Sequence, residues 1–235
     1  MVAHTVTSFD EELGAIDRII RDMGHFAAAM VEAATRALLN GQSDQARRVI
    51  ADDAVMDARQ RELDERAITL IGKRQPMADD LRTVLGAIRI ASDLERIGDL
   101  AKNIAKRVSA VDQSPAPQAF SHSIEAMGEL VQHQLQRVVD IYIAREAEAL
   151  KPLRADDEKI DVQYTGVFRE LLTYMMEDPR NITACTHLLF CAKNLERIGD
   201  HVTNIAENSY YVMTGAQLPA DRPKVDEIGS NLSLA

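Results

Sequence analysis

Eight carboxylates stand in four pairs, each at a spacing of four: Asp53/Asp57, Glu95/Asp99, Asp157/Asp161 and Glu196/Asp200. Residues four apart on an α-helix lie about 40° apart around its axis, so each pair shares one face. Like charges there cost a helix a few tenths of a kcal/mol, which a cation between them would relieve. Oxygen donors from adjacent helices suit divalent or trivalent cations such as iron, zinc, manganese or magnesium, and bridging carboxylates could hold more than one ion. Asn103 and Asn204 return to the same side and offer amide oxygens, and Glu207 adds an acid in the second half. The plain alternative is a solvated acidic face. In that case Arg96 and Arg197 pair with acids of the neighbouring helix or make surface contacts.

These acids sit in repeated surroundings. The hexapeptide LERIGD occurs at Leu94–Asp99 and again at Leu195–Asp200, each copy followed by Asn-Ile-Ala at Asn103 and Asn204. Met23-Gly24 returns as Met127-Gly128, and ADDAVMD at Ala51–Asp57 returns as ADDEKID at Ala155–Asp161, both displaced by 104 residues. The LERIGD copies are displaced by 101, a difference that a shorter loop produces. With about 100° per residue, Leu94, Ile97, Ala101, Ile104 and Val108 gather opposite Glu95 and Asp99, so the LERIGD acids are expected to face outward. Asp157 and Asp161 instead fall in line with Ile160, Tyr164, Phe168 and Leu171, an inward stripe where a carboxylate needs a partner. Gly98 and Gly199 each cost a helix about 1 kcal/mol relative to Ala, which points to close approach of a neighbouring helix. Lys102 and Lys106 return to the acid face in the first copy, where the second has Thr203 and Glu207. The second site is therefore expected to be the more acidic and the tighter for metal.

The elements that position these residues are helices. Aromatic residues are sparse, Trp is absent, and no β-branched alternation persists over a strand length, so the class is all-α. Breakers divide the chain into helices from about Asp10 to Asn40, Ser43 to Gly72, a third ending near Ser109, then Phe120 to Ala149, Leu153 to Met176 and Pro179 to Met213. The segment SPAP at Ser114–Pro117 marks the boundary between two copies of one unit. The expected architecture is two tandem antiparallel three-helix bundles related by an internal repeat, residues 9–110 and 118–213, with a poorly ordered tail over 214–235.

Composition narrows the function. The 235 residues carry 37 acidic and 27 basic side chains, a formal charge of −10 that repels nucleic acid and anionic lipid. No apolar run approaches the roughly 20 residues of a membrane span and no signal peptide is recognisable, so a cytoplasmic protein is expected, meeting membranes only through partners. Cys185 and Cys191 lie six apart in a helix, cannot readily pair, and read as packing residues. His201 points away from the acid face, and His25, His133 and His187 stand alone, so none is a preferred ligand. No Glu-x-x-His, phosphate-binding loop or nucleophile elbow is present, and no catalytic constellation or organic cofactor is expected.

The two LERIGD segments with their Asn-Ile-Ala continuations, KRQPMADDLR at Lys73–Arg82 and LLTYMMEDPR at Leu171–Arg180 together resemble the PhoU family of phosphate-specific transport accessory proteins. The resemblance runs from about Phe9 to Met213. It implies two three-helix bundles and a negative regulator of the phosphate-starvation response. Such a regulator links the ATPase side of a phosphate ABC transporter to a phosphate-sensing histidine kinase, and many members are homodimers. It also implies metal clusters at the E/D-x-x-x-D motifs, here Glu95/Asp99 and Glu196/Asp200, with Asp53/Asp57 and Asp157/Asp161 on the partner helices. Two other readings stand beside it: a metal-dependent enzyme, supported by the clustered carboxylates alone, and a structural helical module in which the acids are salt-bridge partners.

Overall fold

Each helix begins and ends where local chemistry dictates. The computed structural model describes residues 2–112 and 120–219; these contain helices and connecting turns, and no strand. Helix α1 spans Val2–Asn40, α2 Ser43–Arg74, α3 Asp79–Ala105, a short α4 Val108–Asp112, α5 Ser121–Ala144, α6 Lys151–Glu177 and α7 Ile182–Thr214. Gly41, at φ 62°, makes the left-handed turn between α1 and α2. Helix α2 starts with Asp44 in its first turn and ends with Lys73 and Arg74 in its last, both complementing the helix dipole. Gly215, at φ 73°, closes α7 by donating its N–H to the Tyr211 carbonyl.

The largest departures from the sequence expectation fall at three boundaries. Helix α1 starts at Val2 rather than near Asp10. Helix α3 stops at Ala105, and the chain re-forms as α4 instead of running on to Ser109. Helix α5 stops at Ala144 because Arg145 takes a left-handed conformation (φ 58°); a 3₁₀ turn over Ala147–Leu150 then buries Leu150 and leads into α6. The SPAP boundary and the tail from residue 220 lie outside the described residues.

The two three-helix units are antiparallel bundles, α1–α2–α3 and α5–α6–α7, and they share one core. Helices α1, α3, α5 and α7 form its centre, with α2 packed on α1 and α3, and α6 on α5 and α7. Helices α3 and α7 run antiparallel: Arg82 reaches the Val212 carbonyl, Asp93 meets His201, and Arg107 meets His187. Helices α1 and α5 also cross closely. A Cβ on Gly24 would lie 2.5 Å from Val139 Cγ2, and one on Gly128 would lie 2.7 Å from Thr35 Cγ2. Gly24 and Gly128 are repeat equivalents, as are Thr35 and Val139, so a single contact is made twice about an approximate two-fold axis.

Candidate functional site

The outer helices bring the acid pairs together. Gly98 accepts Met56 of α2, whose Cγ would lie 3.2 Å from an added Cβ, and Gly199 accepts Ile160 of α6, whose Cδ1 would lie at 2.7 Å. Met56 and Ile160 occupy the same place in the two repeats, so both LERIGD glycines seat the preceding helix as their cost in helix propensity predicts. This docking sets Asp53 and Asp57 of α2 beside Glu95 and Asp99 of α3, and Asp161 of α6 beside Glu196 and Asp200 of α7.

The glutamates of these clusters are less exposed than the helical wheel predicts. Glu95 keeps 18% side-chain exposure and Glu196 13%, because each lies in the groove between its own helix and the outer one. Asp200 faces solvent. Burial raises the pKa of Glu95, and Asp99, Asp57 and Asp53 push it further up against the lowering effect of Arg96. Burial likewise raises Glu196, with Asp200 and Asp161 adding to the rise and Lys193 opposing it. Asp157 is buried, in keeping with the inward stripe, and Asp161 is partly covered. On the same face of α2, Asp64 has its pKa raised by burial, and its Oδ1 is buried without a hydrogen-bond partner.

Each cluster holds one lysine, but at a different place. In the first, Lys102 donates to Asp53 Oδ2 and Asp99 Oδ1, both at 2.6 Å, tying α3 to α2. Burial opposes ionisation of Asp99, yet the Lys102 ammonium outweighs it and holds the carboxyl below its ordinary range. In the second, Lys193 donates to Glu196 Oε1 at 2.6 Å from within α7. The repeat equivalent of Lys193 is Ser92, and that of Lys102 is Thr203. Lys193 lies outside the repeated LERIGD segment, three residues before Glu196, where the i,i+3 spacing on one helix gives the signal for this pair. Glu196 Oε2 remains buried without a hydrogen-bond partner.

Other expected site residues stand elsewhere. Asn204 donates to Asp93 Oδ1 across the two repeats at 3.5 Å, while Asn103, Lys106 and Arg107 border a cavity between α3 and α7. Glu207 is partly exposed on α7 and has an interaction partner. Arg96 extends into solvent near Glu95 of its own helix, at 3.8 Å, and Arg197 is exposed. Neither histidine of the α3–α7 contact is isolated: His201 Nδ1 lies 2.9 Å from Asp93 Oδ1, and His187 Nδ1 is 3.1 Å from Arg107 Nη1. Cys185 and Cys191 are buried and unpaired, and burial pushes the Cys191 thiol up to about 12.

Among the described residues, no three His, Cys, Asp or Glu side chains converge as a preformed metal cage. The carboxylates lie along the grooves between the outer and inner helices, and Glu196 Oε2 is buried there without a hydrogen-bond partner.

The model of the PhoU domain family matches twice, over residues 20–108 and 124–209. The chain belongs to the PhoU family. A Rhizobium meliloti phosphate-specific transport system accessory protein, a PhoU homolog, is 55% identical over 224 residues, covering 95% of this chain and 94% of the relative. The Escherichia coli K12 accessory protein PhoU is 35% identical over 212 residues, covering 90% and 88%. The crystal structure of PhoU from Pseudomonas aeruginosa superposes with a TM-score of 0.84 at 32% identity, covering 88% of this chain and all of that one. The two matched PhoU domains hold the α1–α3 and α5–α7 bundles, and each contains one acid cluster.

Proposed function

We propose that this chain is a negative regulator of the phosphate-starvation response, working without catalysis as a cytoplasmic adaptor. It links a phosphate ABC transporter, through its ATPase subunit, to a phosphate-sensing histidine kinase, and it acts as a homodimer. The observation that carries this reading is the double PhoU domain match together with relatives of nearly the same length named as phosphate-specific transport accessory proteins. The absence of any helix long and apolar enough to cross a membrane among the described residues agrees with recruitment through partners. Affinity purification of the tagged chain from phosphate-replete cells should retrieve the transporter ATPase and the kinase. Retrieval of neither would overturn the adaptor role.

The acid faces give the adaptor a place to hold cations. In the second repeat Glu196, Asp200, Asp157 and Asp161 supply oxygen donors, and Glu95, Asp99, Asp53 and Asp57 supply them in the first. Burial, together with neighbouring carboxylates, raises the pKa of Glu95 and Glu196, and Glu196 Oε2 has no hydrogen-bond partner, a setting that an oxygen-seeking ion would relieve. A bound cation would supply charge neutralisation, and the residues themselves would hold the outer helices α2 and α6 against α3 and α7. Elemental analysis of protein purified without chelator tests this, and metal-free protein would favour salt-bridged acids.

A further inference from the structure

We propose that the cavity between α3 and α7 is a binding site for a small phosphorylated anion. The cavity measures about 440 Å³, within the range of about 300–1,000 Å³ of small-molecule sites. One wall carries Asn103, Lys106 and Arg107 from the end of α3 and the turn after it; the facing wall carries His187, Phe190 and Asn194 of α7. Among the described residues no carboxylate lines it, although the whole chain carries a formal charge of −10.

The lining is rich in donors. A guanidinium can only donate, so Arg107 Nη1 donates an N–H to His187 Nδ1 at 3.1 Å, and the accepting imidazole carries its own N–H on Nε2. Arg107 also lies over the Phe190 ring, 4.3 Å from its centroid, and its Nε is buried without a hydrogen-bond partner. The arginine is thus held in place by a histidine and a ring, neither of which neutralises its charge. Lys106 adds a second cation, and the amides of Asn103 and Asn194 add donors from opposite walls. A tetrahedral oxyanion presents acceptors in several directions at once and matches donors on facing walls; a carboxylate presents two in one plane.

The internal repeat supplies the comparison. At the other end of the α3–α7 pair the residues equivalent to Asn194 and Lys106 are Asp93 and Glu207. There Asp93 is closed off by His201 and Asn204, a self-satisfied contact. Two equivalent positions thus differ by the exchange of two acids for an amide and an ammonium, and Arg107 stands where the other repeat has Asn208. The same chemistry fits free orthophosphate or the phosphate of an organic ester, and the cavity has room for the ester.

Isothermal titration of the full-length chain with orthophosphate, with AMP and with sodium chloride at matched ionic strength tests the site. The comparison protein is Lys106→Glu/Asn194→Asp, which copies the charge pattern of the equivalent end on solvent-accessible side chains. Wild-type protein is expected to bind AMP or orthophosphate saturably, and the double variant at least about tenfold more weakly with an unchanged melting temperature. Arg107→Gln should weaken binding in the same way. AMP binding without orthophosphate binding assigns the ester; binding of both assigns the phosphate group alone. No saturable binding of either probe up to about 10 mM, or equal binding by the wild type and a folded double variant, would overturn the proposal. The titration is independent of partner capture, so failure of the pocket and failure of the adaptor role are separable.

Discussion

The ammonium of Lys102 lies 2.6 Å from Asp53 Oδ2 and joins α3 to α2 across the first acid face. It also touches Asp99 at 2.6 Å, so one side chain neutralises one acid from each helix. Lys102→Ala leaves both carboxylates partly buried and unpaired, which should cost about 1–3 kcal/mol of stability in metal-free protein. The same variant should bind Mn²⁺ more tightly, because the competing ammonium is gone. Thermal denaturation with and without Mn²⁺ reads both effects, and a variant that is neither destabilised nor more responsive to metal contradicts this role.

The two acid faces should differ in metal affinity. Lys102 is 19% exposed and bridges two helices, whereas Lys193 is 47% exposed and contacts a single glutamate of its own helix. A mobile surface ammonium is the easier one for a cation to displace. Manganese titration of Glu196→Ala should show a larger loss of affinity than that of Glu95→Ala. Equal losses would contradict the asymmetry.

Glu196 should make metal-free stability depend on pH. Burial raises its folded pKa above the ordinary 4.5, so the folded state binds its proton more readily than the unfolded chain does. The cost of the charge is therefore present above the folded pKa and vanishes as pH falls through it. Glu196→Gln should stabilise the metal-free protein at pH 7, by up to about 1 kcal/mol after the loss of its Lys193 contact, and lose that advantage below pH 4.5. Urea denaturation at the two pH values measures it, and a pH-independent difference would be inconsistent with a desolvated carboxylate.

Two glycines should respond oppositely to the same substitution. A Cβ on Gly86 of α3 would collide with Val212 of α7, whereas one on Gly166 of α6 would meet nothing within 4 Å. Gly166→Ala should stabilise by about 0.5–1 kcal/mol through helix propensity. Gly86→Ala should destabilise by about 1–3 kcal/mol through overpacking of the contact between the repeats, and Val212→Ala added to it should recover part of the loss. Melting temperatures settle the signs.

The repeated features were legible because repetition amplifies them. Gly98 and Gly199 each seat the preceding helix, and Met56 and Ile160 fill the two equivalent places. The heptad-like periodicity that drew the core side of α3 was equally clear, since Leu94, Ile97, Ala101 and Ile104 are all buried. What a single helix cannot reveal is its neighbour. The Asp93–His201 pair joins residues 108 apart through the antiparallel approach of α3 and α7, so the wheel of α7 shows His201 only as pointing away from the acid face. The groove beside α2 covers Glu95 for the same reason. The end of α5 was hidden differently: its left-handed residue is Arg145, not the glycine that usually announces such a stop.

The central claim is that this PhoU-family chain restrains the phosphate-starvation response. The most direct measurement is expression of a phosphate-starvation reporter in phosphate-rich medium, in cells deleted for the protein and in the same cells carrying it on a plasmid. Deletion should raise expression and the plasmid copy should restore repression; unchanged expression on deletion would contradict the account.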